Sequence, residues 1–103
     1  MNSRPCVTVV VVTYQSSTEI QGCLCSLFET SGAWISDCRI VDNDSSDNTV
    51  DVVIRQFPQV KIFRNTANLG YSKAVNLGAQ GVESEYLLVL NPDTQLTEHS
   101  LGE

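Results

Sequence analysis

The chain has 103 residues and a mass of 11.3 kDa, the size of one domain, which excludes a two-domain arrangement, and its 42% hydrophobic content argues against disorder. Twelve acidic against six basic side chains leave a net charge of −6, without the cationic surface that nucleic acid or an anionic membrane demands. A phosphate ligand would therefore need backbone amides or a cation to neutralise it.

Val7–Thr13 is almost continuously β-branched, the pattern of a strand covered on both faces. Its apolar part is far short of the roughly 20 residues that span a bilayer, and it runs into Thr13, Tyr14 and Gln15 rather than a small-residue cleavage site, so no targeting or transmembrane segment is expected. Ser16 to Glu19 have capping-box spacing, and Ile20, Cys23, Leu24, Leu27 and Phe28 then recur at helical intervals, with Gly32 as the stop. A second strand over residues 39–42 ends in a polar run from Asp42 to Asp47. Ser46 or Asp47 can cap a helix carrying Val50, Val53, Ile54 and Phe57, which Pro58 ends.

Residues 60–63 form a short third strand, and residues 65–70 the turn after it. The third helix carries Tyr71, Ala74, Val75, Gly78 and Val82 on one face, Gly78 permitting close approach to the sheet. Tyr86–Leu90 is the fourth strand, and Asn91-Pro92-Asp93-Thr94 follows with type I turn chemistry. Strands alternating with helices imply right-handed parallel crossovers, hence a three-layer α/β/α Rossmann-like fold with a mostly parallel sheet in the order 3-2-1-4. Ligands of such sheets bind beyond the carboxyl ends of the strands, where all four polar clusters would gather.

Each cluster has a structural and a functional reading. Thr13 and Tyr14 either pack or offer a hydroxyl and an aromatic face to a base. Asp42 either opens an Asx-turn or accepts hydrogen bonds from a ribose or base, while Asp44 and Asp47 serve the turn and the helix dipole. Asn68 and Gly70 suit positive φ in a turn. Asp93 either belongs to a turn or projects a carboxylate toward a hard divalent cation, Mg²⁺ or Mn²⁺, on a diphosphate. Neither G-x-G-x-x-G nor a Walker A sequence follows the first strand. Cys6, Cys23, Cys25 and Cys38 contain no C-x-x-C pair and the lone histidine is His99, so zinc is disfavoured and buried or half-buried free thiols in a reducing compartment are expected.

Over residues 6–96 the chain resembles the N-terminal half of inverting family 2 glycosyltransferases of the GT-A fold, which use nucleotide-diphosphate sugars. The residues carrying the resemblance are Val9 to Tyr14, the D-N-x-S-x-D run from Asp42 to Asp47, the N-x-x-N-x-G-[FY] run from Asn65 to Tyr71, and Asn91-Pro92-Asp93, similar to the rhamnosyltransferase-like variant of a metal-binding D-x-D. The resemblance implies a nucleotide site of Thr13, Tyr14, Gln15, Asp42, Asn43, Asn68 and Gly70, with Asp42 on the base or ribose and Asp93 on the metal and diphosphate. Gln15 stands where Asn is common, Asn91 replaces the first acid, and Val75 replaces an Arg of many relatives.

The implied activity is sugar transfer to an acceptor hydroxyl in polysaccharide or cell-surface glycan synthesis. Family members continue into an acceptor-binding half that carries the catalytic base, which matches nothing here. The expectation is thus a nucleotide-sugar-binding half, residues 1–103, inactive alone, self-associating through a free edge beside the fourth strand. Its parent would be cytoplasmic or peripheral at the cytoplasmic membrane face. A non-catalytic nucleotide-binding or interaction module of flavodoxin-like type is the alternative; a receiver is disfavoured because the third strand ends in Arg64-Asn65 rather than a phosphoacceptor Asp.

Overall fold

The computed structural model of the chain describes residues 6–94; His99 lies outside them. Four strands, β1 (Val7–Thr13), β2 (Ile35–Asp42), β3 (Lys61–Arg64) and β4 (Tyr86–Leu90), form one parallel sheet in the order β3-β2-β1-β4. That is the order expected from the sequence, with β1 and β4 as neighbours across the switch point. All seven residues of β1 are buried, because helices cover both faces of the central strand.

Helices α1 (Ile20–Ser31) and α2 (Thr49–Gln56) cover one face. There Ile20, Leu24, Leu27, Val53 and Phe57 pack against Val9, Val11 and Ile40, and the rings of Phe28 and Phe57 stack 6.1 Å apart. Helix α3 (Tyr71–Gly78) covers the other face, where Ala74 meets Val10, Val12 and Val41. A Cβ at Gly78 would lie 2.6 Å from Val10 Cγ1 and 2.8 Å from Val41 Cγ2, so the close approach requires glycine. Arg39 on β2 fastens the end of α3, donating from Nη1 to the carbonyls of Gly78 (2.9 Å) and Gln80 (2.6 Å) while its Nε pairs with Asp37.

Several local expectations are corrected. Gly32 adopts an ordinary right-handed φ of −55°, and α1 runs on through a 3₁₀ turn, Gly32–Trp34, directly into β2. The second strand therefore starts at Ile35, four residues earlier than its apolar end suggested. The third strand lies one residue later than expected. Ile54 is 56% exposed, because α2 turns Val50, Val53 and Phe57 inward with Val52 beside them. Helix α3 ends at Gly78, leaving Val82 beyond it, and Tyr71 points outward. The capping box does not form: the Ser16 carbonyl, rather than its hydroxyl, receives the N–H groups of Glu19 and Ile20. All four cysteines are free; Cys23 and Cys38 are buried and Cys25 half-buried, but Cys6 is exposed. No helix among the described residues is long and apolar enough to cross a membrane.

Candidate functional site

The parallel register sets Thr13 beside Asp42 and Asp42 beside Arg64, so strands from different parts of the chain end at one rim. The Thr13 hydroxyl donates to Asp42 Oδ1 at 2.7 Å, the Ser45 hydroxyl donates to the same oxygen at 2.7 Å, and the Ser45 N–H donates to Oδ2 at 2.9 Å. Asp42 is 0% exposed. Its carboxylate is thus the hub of the strand-end turn, the Asx-turn role among the two readings of Asp42, and it lies beneath the rim rather than on it. Asn43, also buried, joins the next loop: its Oδ1 accepts from Asn65 Nδ2 and the Leu69 N–H, and its Nδ2 donates to the Gly70 carbonyl. Asn68 Oδ1 in turn accepts the N–H of Gly70, whose φ of 86° favours glycine at the start of α3.

The turn after β1 is bonded to the β2–α2 loop residue by residue. The N–H groups of Gln15, Ser16 and Ser17 donate to Ser45 Oγ, Thr49 Oγ1 and Asp47 Oδ2 at 2.9, 2.9 and 3.2 Å. Returning bonds run from the N–H and hydroxyl of Ser46 and the N–H of Asp47 to Gln15 Oε1. Asp47 also receives the N–H and hydroxyl of Thr49, the first residue of α2; the N-cap position is Asn48, without a side-chain cap bond, rather than Ser46 or Asp47 as expected. Desolvation pushes the Asp47 carboxyl up, but the bonds from Thr49 and Ser17 outweigh it and hold the group below its ordinary 3.8. Ser45 is the serine of the D-N-x-S-x-D run but had no role assigned from sequence, and Thr49 was not singled out; the signal was the alternation of Ser45, Asp47 and Thr49, the three acceptors of the β1-turn amides.

Two cavities open above this floor. One, about 430 Å³, is lined by Val12, Tyr14, Ser16, Asn43, Asn68, Gly70, Tyr71, Asn91 and Pro92. The other, about 330 Å³, is lined by Tyr14, Gln15, Ser16, Glu19, Asn91, Pro92 and Asp93. Tyr14, Ser16, Asn91 and Pro92 are common to both, so the cavities meet at Tyr14. Of the residues singled out by sequence, Tyr14, Gln15, Asn43, Asn68, Gly70 and Asp93 line this surface, whereas Thr13 and Asp42 lie beneath it. Ser16 and Glu19, read from sequence as cap residues, and Tyr71, the last residue of the N-x-x-N-x-G-[FY] run, also line it. Tyr71, expected on a packed helix face, is 53% exposed, and Tyr14 is 54% exposed.

Asn91 to Thr94 make the expected turn, the Thr94 N–H donating to the Asn91 carbonyl at 3.0 Å. The same carbonyl receives the Cys23 thiol at 3.6 Å. Burial, with a smaller contribution from the Asp93 charge, raises the Cys23 thiol to about 11, so at neutral pH it is a protonated donor. Asp93 is exposed on the cavity wall that also carries Glu19. Glu19 and Asp93 are the two carboxylates lining this cavity, whose lining has no cationic residue; among the described residues no group of three or more His, Cys, Asp or Glu could hold a metal ion, so a cation here would need ligand oxygens besides these two.

The family model described as glycosyl transferase family 2 matches residues 8–103. An N-acetylglucosaminyl-diphospho-decaprenol L-rhamnosyltransferase of Mycobacterium tuberculosis is 32% identical over 98 residues, covering 84% of this chain and 32% of that protein. The glycosyltransferase SunS of Bacillus subtilis prophage SPbeta is 25% identical over 98% of this chain and 23% of its own length. The chain thus spans a third or less of these relatives. Among solved structures, S. aureus TarS 1-349 in complex with UDP-GlcNAc superposes with a TM-score of 0.81 at 25% identity, over 92% of this chain and 28% of that one. The mannosyltransferase PcManGT from Pyrobaculum calidifontis, in complex with GDP-Man and Mn²⁺, gives a TM-score of 0.77 at 26% identity, over 87% and 28%. The four-stranded α/β architecture is that of the GT-A glycosyltransferases.

Proposed function

This chain belongs to glycosyl transferase family 2, and we propose that it forms the nucleotide-sugar-binding half of an enzyme that transfers a sugar from a nucleoside-diphosphate donor to an acceptor hydroxyl with inversion. The observation that carries this reading is the meeting of two unlike cavities at Tyr14. The larger, between Tyr14, Asn68, Gly70 and Tyr71, presents aromatic faces and amide groups suited to a nucleoside. The smaller, with Asp93 and Glu19, is acidic and suits a diphosphate only when a cation accompanies it.

Residue roles follow from placement. Tyr14 offers its exposed ring to the base at the junction. Asn43, with both ends of its amide engaged, holds the Leu69-Gly70 backbone as one wall. Thr13 and Asp42 fix the floor; a direct bond from Asp42 to a ribose would require the Ser45 turn to open, since nothing of Asp42 is exposed. Asp93 would hold Mg²⁺ or Mn²⁺, with Glu19 within the same cavity. A bound cation supplies Lewis-acid stabilisation of the charge developing on the leaving nucleoside diphosphate. None of the residues discussed is assigned as the base that takes the acceptor proton.

A thermal-shift panel of UDP, GDP, dTDP and CMP, each with and without Mg²⁺ or Mn²⁺, tests the reading. Selective stabilisation by a nucleoside diphosphate, larger with metal, is expected; indifference to all four would overturn it.

A further inference from the structure

We propose that Gln15 is a positioning residue whose side-chain carbonyl locks the turn after β1 to the β2–α2 loop, holding Tyr14 at the junction of the two cavities; this rests on the nucleotide reading above. Gln15 has a φ of 52°, in the left-handed region that glycine and asparagine tolerate best. A glutamine persists there when surrounding bonds over-determine it, and these bonds are present. Its N–H donates to Ser45 Oγ at 2.9 Å, and its Oε1 accepts the Ser46 N–H at 2.6 Å, the Ser46 hydroxyl at 3.2 Å and the Asp47 N–H at 3.3 Å. One residue therefore grips three consecutive residues of the facing loop.

The grip matters for what adjoins it. Ser45 is bonded onward to the buried Asp42 carboxylate, so the floor, the loop and the Tyr14 turn are one bonded unit. Most of the other inter-loop bonds run from the β1 turn's amides to the loop's side chains. Gln15 Oε1 supplies the return connection, received by loop amides. Its side-chain carbonyl is committed to the loop.

Glu in place of Gln keeps the acceptor oxygen that the loop amides use. For the 103-residue chain, amide exchange at Ser46 and Asp47 and calorimetric affinity for UDP and GDP with Mn²⁺ are measured in Gln15→Ala, Gln15→Glu and Gln15→Gly, in salt that screens surface charge. Gln15→Ala should speed exchange at both amides and weaken nucleotide binding by about tenfold. Gln15→Glu should keep exchange at both amides near the unsubstituted rates. Gln15→Gly relieves the left-handed backbone, so it should fold at least as stably as Gln15→Ala while losing the lock, which separates lost affinity from unfolding. Unchanged exchange in Gln15→Ala overturns the lock. Faster exchange in Gln15→Glu would overturn it as well, since that variant retains the acceptor oxygen. Failure of the unsubstituted chain to bind either nucleotide counts against the nucleotide reading and removes the purpose of the lock, while the exchange rates still decide the lock itself.

Discussion

The Thr13 hydroxyl donates to Asp42 Oδ1 across 2.7 Å between two buried strand ends, and the Ser45 hydroxyl closes on the same oxygen at the same distance. A carboxylate at the end of β2 thus serves as the internal acceptor for the turn above it. Asp42→Ala would strand two hydroxyls and an amide N–H, at a cost of about 3 kcal/mol, and Asp42→Asn, which keeps one acceptor oxygen, should cost about half as much. Urea denaturation checks both; a neutral Asp42→Ala would mean that water replaces the hub freely.

Gly78→Ala places a methyl group against Val10 and Val41, both buried and β-branched with little rotamer freedom. The gain in helix propensity, about 1 kcal/mol, is smaller than the overpacking cost of roughly 1–3 kcal/mol. A net fall in melting temperature is expected. A rise would show that α3 lifts off the sheet without penalty.

Two thiols set the alkaline limit. Burial raises Cys23 to about 11, helped by Asp93, and burial raises Cys38 to about 12, helped by Cys23 and Asp37. A folded value above the unfolded 9.0 means that this stabilisation is complete below pH 9 and is lost as pH rises toward 11 and 12. Each pH unit above the unfolded value costs about 1.4 kcal/mol per thiol until the folded value is reached. Asp47 sets an opposite, acid limit: its folded value is depressed, so its contribution is present above 3.8 and lost as pH falls below it. Denaturant midpoints across pH should decline at both ends, with Cys38→Ala flattening the alkaline limb and Asp47→Ala the acid one. At neutral pH the exposed Cys6 should react first with a thiol reagent.

Tyr71 stands half-exposed in the wall of the larger cavity, which Tyr14 also lines. Tyr71→Ala should leave the melting temperature nearly unchanged and weaken nucleotide binding by about 1 kcal/mol, the order of one aromatic stacking contact. Isothermal calorimetry separates this from a packing role, for which stability would fall and affinity would hold.

Strand identity and order were legible in the sequence because β-branched runs and polar strand ends are local signals, and right-handed crossovers leave few ways to arrange them. The Gly78 approach was legible for the same reason. What escaped depends on partners distant in sequence. Gly32 looks like a helix stop until the chain continues into β2, and the facing of Ile54 and Tyr71 depends on helix rotation set by the sheet. Likewise the bonds joining Gln15, Ser16 and Ser17 to residues 45–49 cross about thirty positions of sequence, beyond any local pattern. Asp42 was found as a residue of the rim but not as its buried hub, because burial is a property of the assembled strand ends.

The central claim is that a nucleoside diphosphate binds at the Tyr14 junction with a divalent cation held by Asp93. Mg²⁺ commonly uses one or two carboxylates together with phosphate oxygens, so metal alone should bind weakly and nucleotide should bind more tightly with metal than without. The direct measurement is calorimetric titration of UDP and GDP into the chain and into Asp93→Asn, each with Mn²⁺ and with EDTA. The account predicts that Mn²⁺ raises affinity for at least one nucleotide in the unsubstituted chain and that Asp93→Asn abolishes this increment while keeping the metal-free affinity. Equal affinity in Mn²⁺ and EDTA, or a full metal increment in Asp93→Asn, would contradict it and leave Asn91-Pro92-Asp93 as a turn alone.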